Sequence, residues 1–202
     1  MATASTRAAR TDPEVRKRQL VEAALPAFAE RGYDSVELKE IAAAVGVTPN
    51  LIHHYFPGGK RELYLDAVRL ACEEVVEILD TDPDIDLETK MPANVSAYLS
   101  EAMGPTPRYV LFMRSTRSPQ PDVAGVGIAA RDRIITGMAL NHLGTAAPPP
   151  EVKAGLVGVV GYLEACAEQW RELGIEDSQA LEKLLMDVIV ASLRSAAGPK
   201  GR

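Results

Sequence analysis

Residues 20–65 read LVEAALPAFAERGYDSVELKEIAAAVGVTPNLIHHYFPGGKRELYL, and the fold turns on this stretch. Leu20, Val21, Ala24, Leu25 and Phe28 recur at spacings of three and four, which places one apolar stripe along a helix. Gly32 ends that helix, glycine being the residue best suited to the left-handed position after a last turn. Leu38, Ile41, Ala42 and Val45 carry a second, shorter helix that Gly46 breaks. Thr48-Pro49 then offers an N-cap followed by a proline at the first helical position, and a third helix runs through Leu51, Ile52, Tyr55 and Phe56. Two helices joined by about three or four residues including a glycine form a helix-turn-helix. Pro57-Gly58-Gly59 closes the third helix, and a longer one restarts at Lys60 and runs through Leu63, Tyr64, Ala67, Val68, Ala71, Val75 and Ile78.

Upstream, Asp12-Pro13-Glu14 combines an N-cap side chain, a proline at N1 and an acid near the positive helix end, a strong start signal. Residues 1–11 lack apolar periodicity and are expected to form a flexible arm. Downstream, helices are expected at about 86–103, 105–116, 120–143, 149–173 and 177–197, punctuated by Gly104-Pro105, Ser118-Pro119, Pro148-Pro149-Pro150 and Gly174. No alternating strand and no repeat is visible. The expectation is an all-α protein: arm 1–11, helix-turn-helix domain 12–59, and a second helical domain 60–202.

The chain of 202 residues is 47% hydrophobic and 25% charged, ordinary for a globular protein. No stretch approaches the roughly 18 uninterrupted apolar residues of a membrane helix. Met1 to Arg18 has no apolar core and does not read as a secretory signal, so a cytoplasmic location is expected. Cys72 and Cys166 stand far apart without a CxxC spacing, which argues against a disulfide framework and a zinc site. The net charge of −6 is unevenly spread. Residues 1–60 hold eight of the 22 Lys/Arg and seven of the 28 Asp/Glu, so the acidity lies in the remainder. Arg7, Arg10, Arg16, Lys17 and Arg18 face only Asp12 and Glu14 near the start, a local basic excess suited to phosphates.

Within residues 20–65, Ala24 and Phe28, Gly32-Tyr33, Ile41-Ala42, Gly46-Val47-Thr48, Tyr55-Phe56 and Lys60 with Leu63 together resemble the DNA-binding segment of the tetracycline-repressor (TetR) family. The resemblance implies a third helix in the major groove and a fourth whose start contacts the DNA backbone. Position by position, it implies that Thr48, His53, Tyr55 and Lys60 contact phosphates. Pro49, Asn50, Leu51 and His54 fall where base edges are reached. The residue types suit those roles: hydroxyls on Thr48 and Tyr55, a charge on Lys60 at a helix N-terminus, an amide on Asn50 able to pair with adenine, and an apolar Leu51 for a thymine methyl. Three departures stand out. His53 occupies a position usually held by tyrosine, Val36 replaces the threonine usual before the second helix and leaves Ser35 and Glu37 as alternative caps, and the Phe-Pro-Gly-Gly-Lys stretch has one residue more than the commonest form.

The resemblance also implies a homodimer whose last two long helices pair with those of a second subunit. It would bind a palindromic operator, usually as a repressor, and be released by a small-molecule effector. Leu156, Val160, Leu163 and Ala167 on one helix and Leu181, Leu185, Val188 and Ile189 on the next are expected at that interface. Two recognition helices about 34–36 Å apart meet successive major grooves. For an effector pocket the expected lining is Tyr98, Met103, Tyr109, Phe112, Met113, Met138, Tyr162 and Cys166, with Arg108, Arg114, Arg117, Arg133, His142 and Glu164 as polar candidates for an anionic or hydrogen-bonding ligand. Residues 125–130 match a dinucleotide-binding pattern but lie inside an expected helix rather than after a strand. Gly59-Lys60 lacks the rest of a phosphate loop, and adjacent His53-His54 are not a metal pair at i, i+4. An enzyme is therefore disfavoured, and no cofactor or metal is expected. A helical protein-protein adaptor is the alternative, although it gives no reason for a helix-turn-helix followed by Lys60.

Overall fold

The computed structural model describes residues 12–79, 87–175 and 177–196, so the expected arm 1–11 lies outside it. Among the described residues there are nine helices and no strand: α1 Pro13–Ser35, α2 Leu38–Val45, α3 Pro49–Tyr55, α4 Lys60–Leu79, α5 Leu87–Met103, α6 Pro107–Thr116, α7 Pro121–Leu143, α8 Pro150–Glu172 and α9 Ser178–Ala196. The all-α expectation holds. The dinucleotide-like residues 125–130 sit inside α7. No described helix is long and apolar enough to cross a membrane.

Chain packing divides into two units, Met1–Leu70 and Ala71–Arg202. The division falls within α4, eleven residues after the expected boundary at 59, because Leu63, Ala67 and Val68 of α4 are buried and Tyr64 packs edge-on against Phe28 at 5.0 Å. In the first unit Asp12 caps α1 by accepting the Glu14 amide at 2.9 Å. Gly32 takes φ 78°, ψ 169° and interrupts α1 where glycine was expected to stop it, with one further turn to Ser35. Leu20, Ala24 and Phe28 of α1, Ile41 and Ala42 of α2, and Ile52 and Phe56 in and just after α3 are all at 2% exposure or less.

In the second unit apolar clusters pack the helices together. Val95 and Leu99 of α5 meet Val159 and Leu163 of α8 and Leu181, Leu185 and Ile189 of α9. Ile135 and Ala139 of α7 meet Leu156 and Val160 of α8. Ala102, Tyr109 and Ala167 form a further cluster. This arrangement places the residues expected at the interface inside the protomer. Leu156, Val160, Leu163, Ala167, Leu181, Leu185 and Ile189 are all at most 9% exposed within a single chain, and Val188 alone of that set is half-buried. Their stripe is the protomer's own core, since a surface already removed from water has little left to bury against a partner. Leu193, which extends the same stripe, has a side chain outside those described.

Candidate nucleic-acid interface and helical cavity

The turn between α2 and α3 is built locally. Glu37 caps α2, and Glu40 three residues later reaches back to the Glu37 amide at 3.4 Å, a capping box that decides between the two alternatives left by Val36. Val36 itself is 1% exposed, and with Ile41 it occupies the register of a hydrophobic staple, so the departure from threonine exchanges a hydroxyl for core. Gly46 takes φ 71° in the left-handed region and donates to the carbonyls of Ala42 and Ala43. That conformation strains any residue with a Cβ.

Helix α3 is short and sharply two-faced. Ile52 and, just past its end, Phe56 are fully buried, while Thr48, Pro49, Asn50, His53 and His54 are exposed and Leu51 and Tyr55 half-buried. Pairs four apart, Pro49 with His53 and Asn50 with His54, lie one above the other on the outer face. Thr48 stands at the N-cap but makes no side-chain cap hydrogen bond, which leaves its hydroxyl on the exposed surface. The His54 and Tyr55 rings meet edge-on at 5.3 Å.

Lys60 begins α4, and its Nζ donates to the Asp34 carbonyl at 3.0 Å while lying 4.7 Å from the centre of the Tyr33 ring. An ammonium has three donors, so this contact steers the charge without exhausting it. In the loop that carries the additional residue Gly59 adopts φ 64°, and the Gly58 amide donates to the Glu62 carboxylate at 2.8 Å. Part of the positive helix start is thereby occupied by the chain's own carboxylate. Other cations nearby are held in surface ion pairs, Arg31 with Glu40 at 2.6 Å and Lys17 with Asp66 at 3.3 Å. Arg31's hydrogen bond holds the Glu40 carboxyl below the usual glutamate range. Exposed pairs of this kind are weak and screened by solvent, so a phosphate can replace the carboxylate.

The second unit holds a cavity of about 80 Å³ between its helices, several times the roughly 10–15 Å³ of such space needed to hold one water. Of the eight expected lining residues, Tyr98, Tyr109, Phe112 and Met138 face it. Met103, Met113, Tyr162 and Cys166 do not line it; Met103, Tyr162 and Cys166 pack instead against the α5–α8–α9 core, and Met113 against the Tyr109 cluster. The arginines proposed as polar contacts are absent from the lining. Arg117 pairs with Glu168 at 3.5 Å and Arg133 with Glu73 at 2.7 Å, both on exposed surface. Arg108 grips Glu101 with two hydrogen bonds, 2.8 Å from Nε and 2.6 Å from a terminal nitrogen.

His142 and Glu164 do line the cavity, as do Asn94 and Glu101, which the residue-type reading passed over. Met91, Asn94, Val95, Tyr98 and Glu101 follow the spacing i, i+3, i+4, i+7, i+10 on α5, so helical periodicity carried the signal; an apolar filter hid its polar members. Tyr98 and Tyr109 place their hydroxyls 3.1 Å apart, and burial raises the pKa of both phenols. Arg108's hydrogen bonds hold the Glu101 carboxyl below its ordinary range, while the Thr106 hydroxyl donates to the same group. Glu164, 5% exposed, pairs with Arg131.

Residues 20–67 match the model of the bacterial regulatory proteins of the tetR family. Curated relatives called HTH-type transcriptional regulator BetI are similar over the same region: that of Brucella anthropi is 39% identical over 66 residues, 33% of this chain and 34% of that protein. That of Rhizobium meliloti is 44% identical over 55 residues, 27% of each. The chain thus matches about a third or less of these relatives' length. Among solved structures, a tetR-family regulator from Streptomyces coelicolor superposes with a TM-score of 0.77 at 24% identity, covering 93% of this chain and 84% of that one. A TetR-like regulator from Rhodococcus sp. RHA1 gives 0.67 at 23%, covering 94% and 100%. A transcriptional regulator from Saccharomonospora viridis, solved in complex with choline, gives 0.65 at 19%, covering 88% and 96%. At these identities the structural likeness establishes the fold.

Proposed function

We propose, for a chain whose residues 20–67 match the tetR family of bacterial regulatory proteins, a ligand-responsive regulator that reads a palindromic operator as a homodimer and leaves it when a small molecule fills the cavity of its second unit. The observation that carries the reading is the two-faced α3. Ile52 and Phe56 anchor it in the core, and Pro49, Asn50 and His54, flanked by Leu51, are offered outward at the end of a helix-turn-helix. In this reading those residues meet base edges and Thr48, His53, Tyr55 and Lys60 meet phosphates. Repression is the mode proposed. The domain roles follow the same lines: DNA binding by the helices up to the start of α4, and ligand binding and dimerisation by the remainder.

Helix α4 supports the coupling. It begins at Lys60 and ends at Val75, Ile78 and Leu79, which line the cavity. A ligand that repositions the end of α4 alters how its start is presented, and it shifts the DNA equilibrium only by its difference in affinity for the two states. Such coupling is typically about 1–3 kcal/mol. The choline bound by the Saccharomonospora viridis protein supports the idea that this fold receives a small organic molecule.

For the dimer, the exposed side of α8 takes over from the stripe now assigned to the core. Ala154, Val157, Gly158, Gly161 and Ala165 are exposed at spacings of three and four, beside exposed Leu184 and half-buried Val188 on α9. A Cβ built at Gly158 or Gly161 would meet nothing within 4 Å, so no contact inside the protomer explains these glycines. Each weakens an isolated helix by roughly 0.5–1 kcal/mol relative to alanine, a cost that close approach of a second subunit would offset.

The deciding experiment is a mobility shift of the purified protein on DNA upstream of its own gene, over a salt series with competitor DNA. Specific, salt-sensitive retention with a palindromic footprint is expected. Retention no stronger than on competitor, there and in selection from random DNA, would leave the helical adaptor as the better description.

A further inference from the structure

The cavity's polar lining comprises Asn94, Glu101, His142 and Glu164. Its acids are Glu101 and Glu164, and no lysine or arginine lines it. The two acids differ in how completely they are satisfied. Glu101 accepts on both oxygens, from Arg108 twice and from Thr106. Glu164 accepts on Oε2 from Arg131, while its Oε1 takes no hydrogen bond from any described residue. The residue is 5% exposed and lies on the cavity wall, beside Leu163 and the Tyr98–Tyr109 pair. Oε1 is not among the fully buried atoms left without a partner, so on this wall it is an acceptor that a donor inside the cavity can reach.

The remaining wall is aromatic and aliphatic: Tyr98 and Tyr109 stand edge-on at 6.1 Å, and Phe112, Val95 and Val160 complete it. Ring faces carry negative potential and attract cations, whereas an anion would confront both the rings and Glu164. A bond from a charged donor to a carboxylate is roughly twice as strong as a neutral one.

Resting on the reading of this cavity as the effector site, we infer that the effector is a primary or secondary ammonium with a compact apolar body. Its N–H donates to Glu164 Oε1, and its body packs against Tyr98, Tyr109 and Phe112. Of the anionic or hydrogen-bonding ligand expected from the sequence, the anionic option loses its arginines, because Arg108 is consumed by Glu101 and Arg117 and Arg133 pair with acids on the surface.

The test is calorimetric titration of the full chain, without DNA, with four probes of one skeleton: isopentylamine, its N,N,N-trimethyl derivative, 3-methylbutanol and 4-methylpentanoate. The amine is expected to bind at least about ten-fold more tightly than each of the others, a gap worth about 1.4 kcal/mol. Glu164→Gln is expected to remove that preference while leaving the helical circular dichroism intact. Tighter binding of the carboxylate, or equal binding of the trimethyl compound that keeps the charge without an N–H, would overturn the inference; both comparisons use the unaltered protein and stand whether or not the variant folds. Amine binding that leaves DNA retention unchanged would uphold the ligand class and sink the release mechanism. Specific DNA retention together with no amine binding would sink the ligand class alone.

Discussion

Single residues decide how tightly the second unit can close. Gly127 of α7 faces α6 so closely that an added Cβ would lie 2.2 Å from the Ser115 hydroxyl and 2.6 Å from the Thr116 amide nitrogen. Gly127→Ala is therefore expected to lower stability by about 1–3 kcal/mol in denaturant unfolding. Gly125→Ala, two residues away on the exposed side with nothing within 4 Å, should be neutral or stabilising by up to about 1 kcal/mol. Equal effects at the two positions would refute the close packing of α6 on α7. Glu101 gives a pH dependence of definite sign. Because Arg108's hydrogen bonds depress its folded pKa, the stabilisation is complete above the ordinary glutamate range and is lost as pH falls through the depressed value. In thermal melts Glu101→Gln should fall well below the parent at neutral pH and converge with it in acid; a constant offset at every pH would assign the loss to packing. Neither residue was recognisable in this role from sequence, since Gly127 belonged to a dinucleotide-like pattern and nothing local to Glu101 names Arg108 as its partner.

Helices were the most legible level, because their starts and stops are written in local chemistry. Asp12-Pro13, Thr48-Pro49 and Gly46 act within one turn of themselves, and α1, α2 and α3 begin and end at or within a few residues of where those signals stand. What the sequence could not supply was the partner of each exposed group. Thr48 occupies the cap position without using its hydroxyl, and Lys60 steers its ammonium onto the Asp34 carbonyl, 26 residues away in the chain. With two donors still available, Lys60→Ala should weaken binding to all DNA sequences and reduce the salt slope by about one, whereas Asn50→Ala should relax preference at one base pair and leave the slope nearly unchanged. If the salt slope of Lys60→Ala equals that of the parent, the lysine makes no phosphate contact.

At the scale of the whole molecule the open question is assembly. The exposed stripe on α8 and α9 predicts that Leu184→Glu or Gly158→Leu yields a monomer in sedimentation equilibrium with its helical content intact, while Leu173→Glu, exposed but off that stripe, leaves the dimer unchanged. Dimers persisting in both stripe variants would move the interface elsewhere. By itself the sequence determined the helix order, the helix-turn-helix, its likeness to one family and the lack of membrane-length apolar runs, since periodicity, capping and turn chemistry are properties of neighbours in the chain. Only the tertiary structure decided which apolar stripe is core and which is free. It also placed Glu164 and Glu101 on the cavity wall while the arginines paired elsewhere. The physical reason is the same in both cases: a 3.6-residue period marks a face as apolar but not what covers it, and the partner of a charge is fixed by packing between helices tens of residues apart.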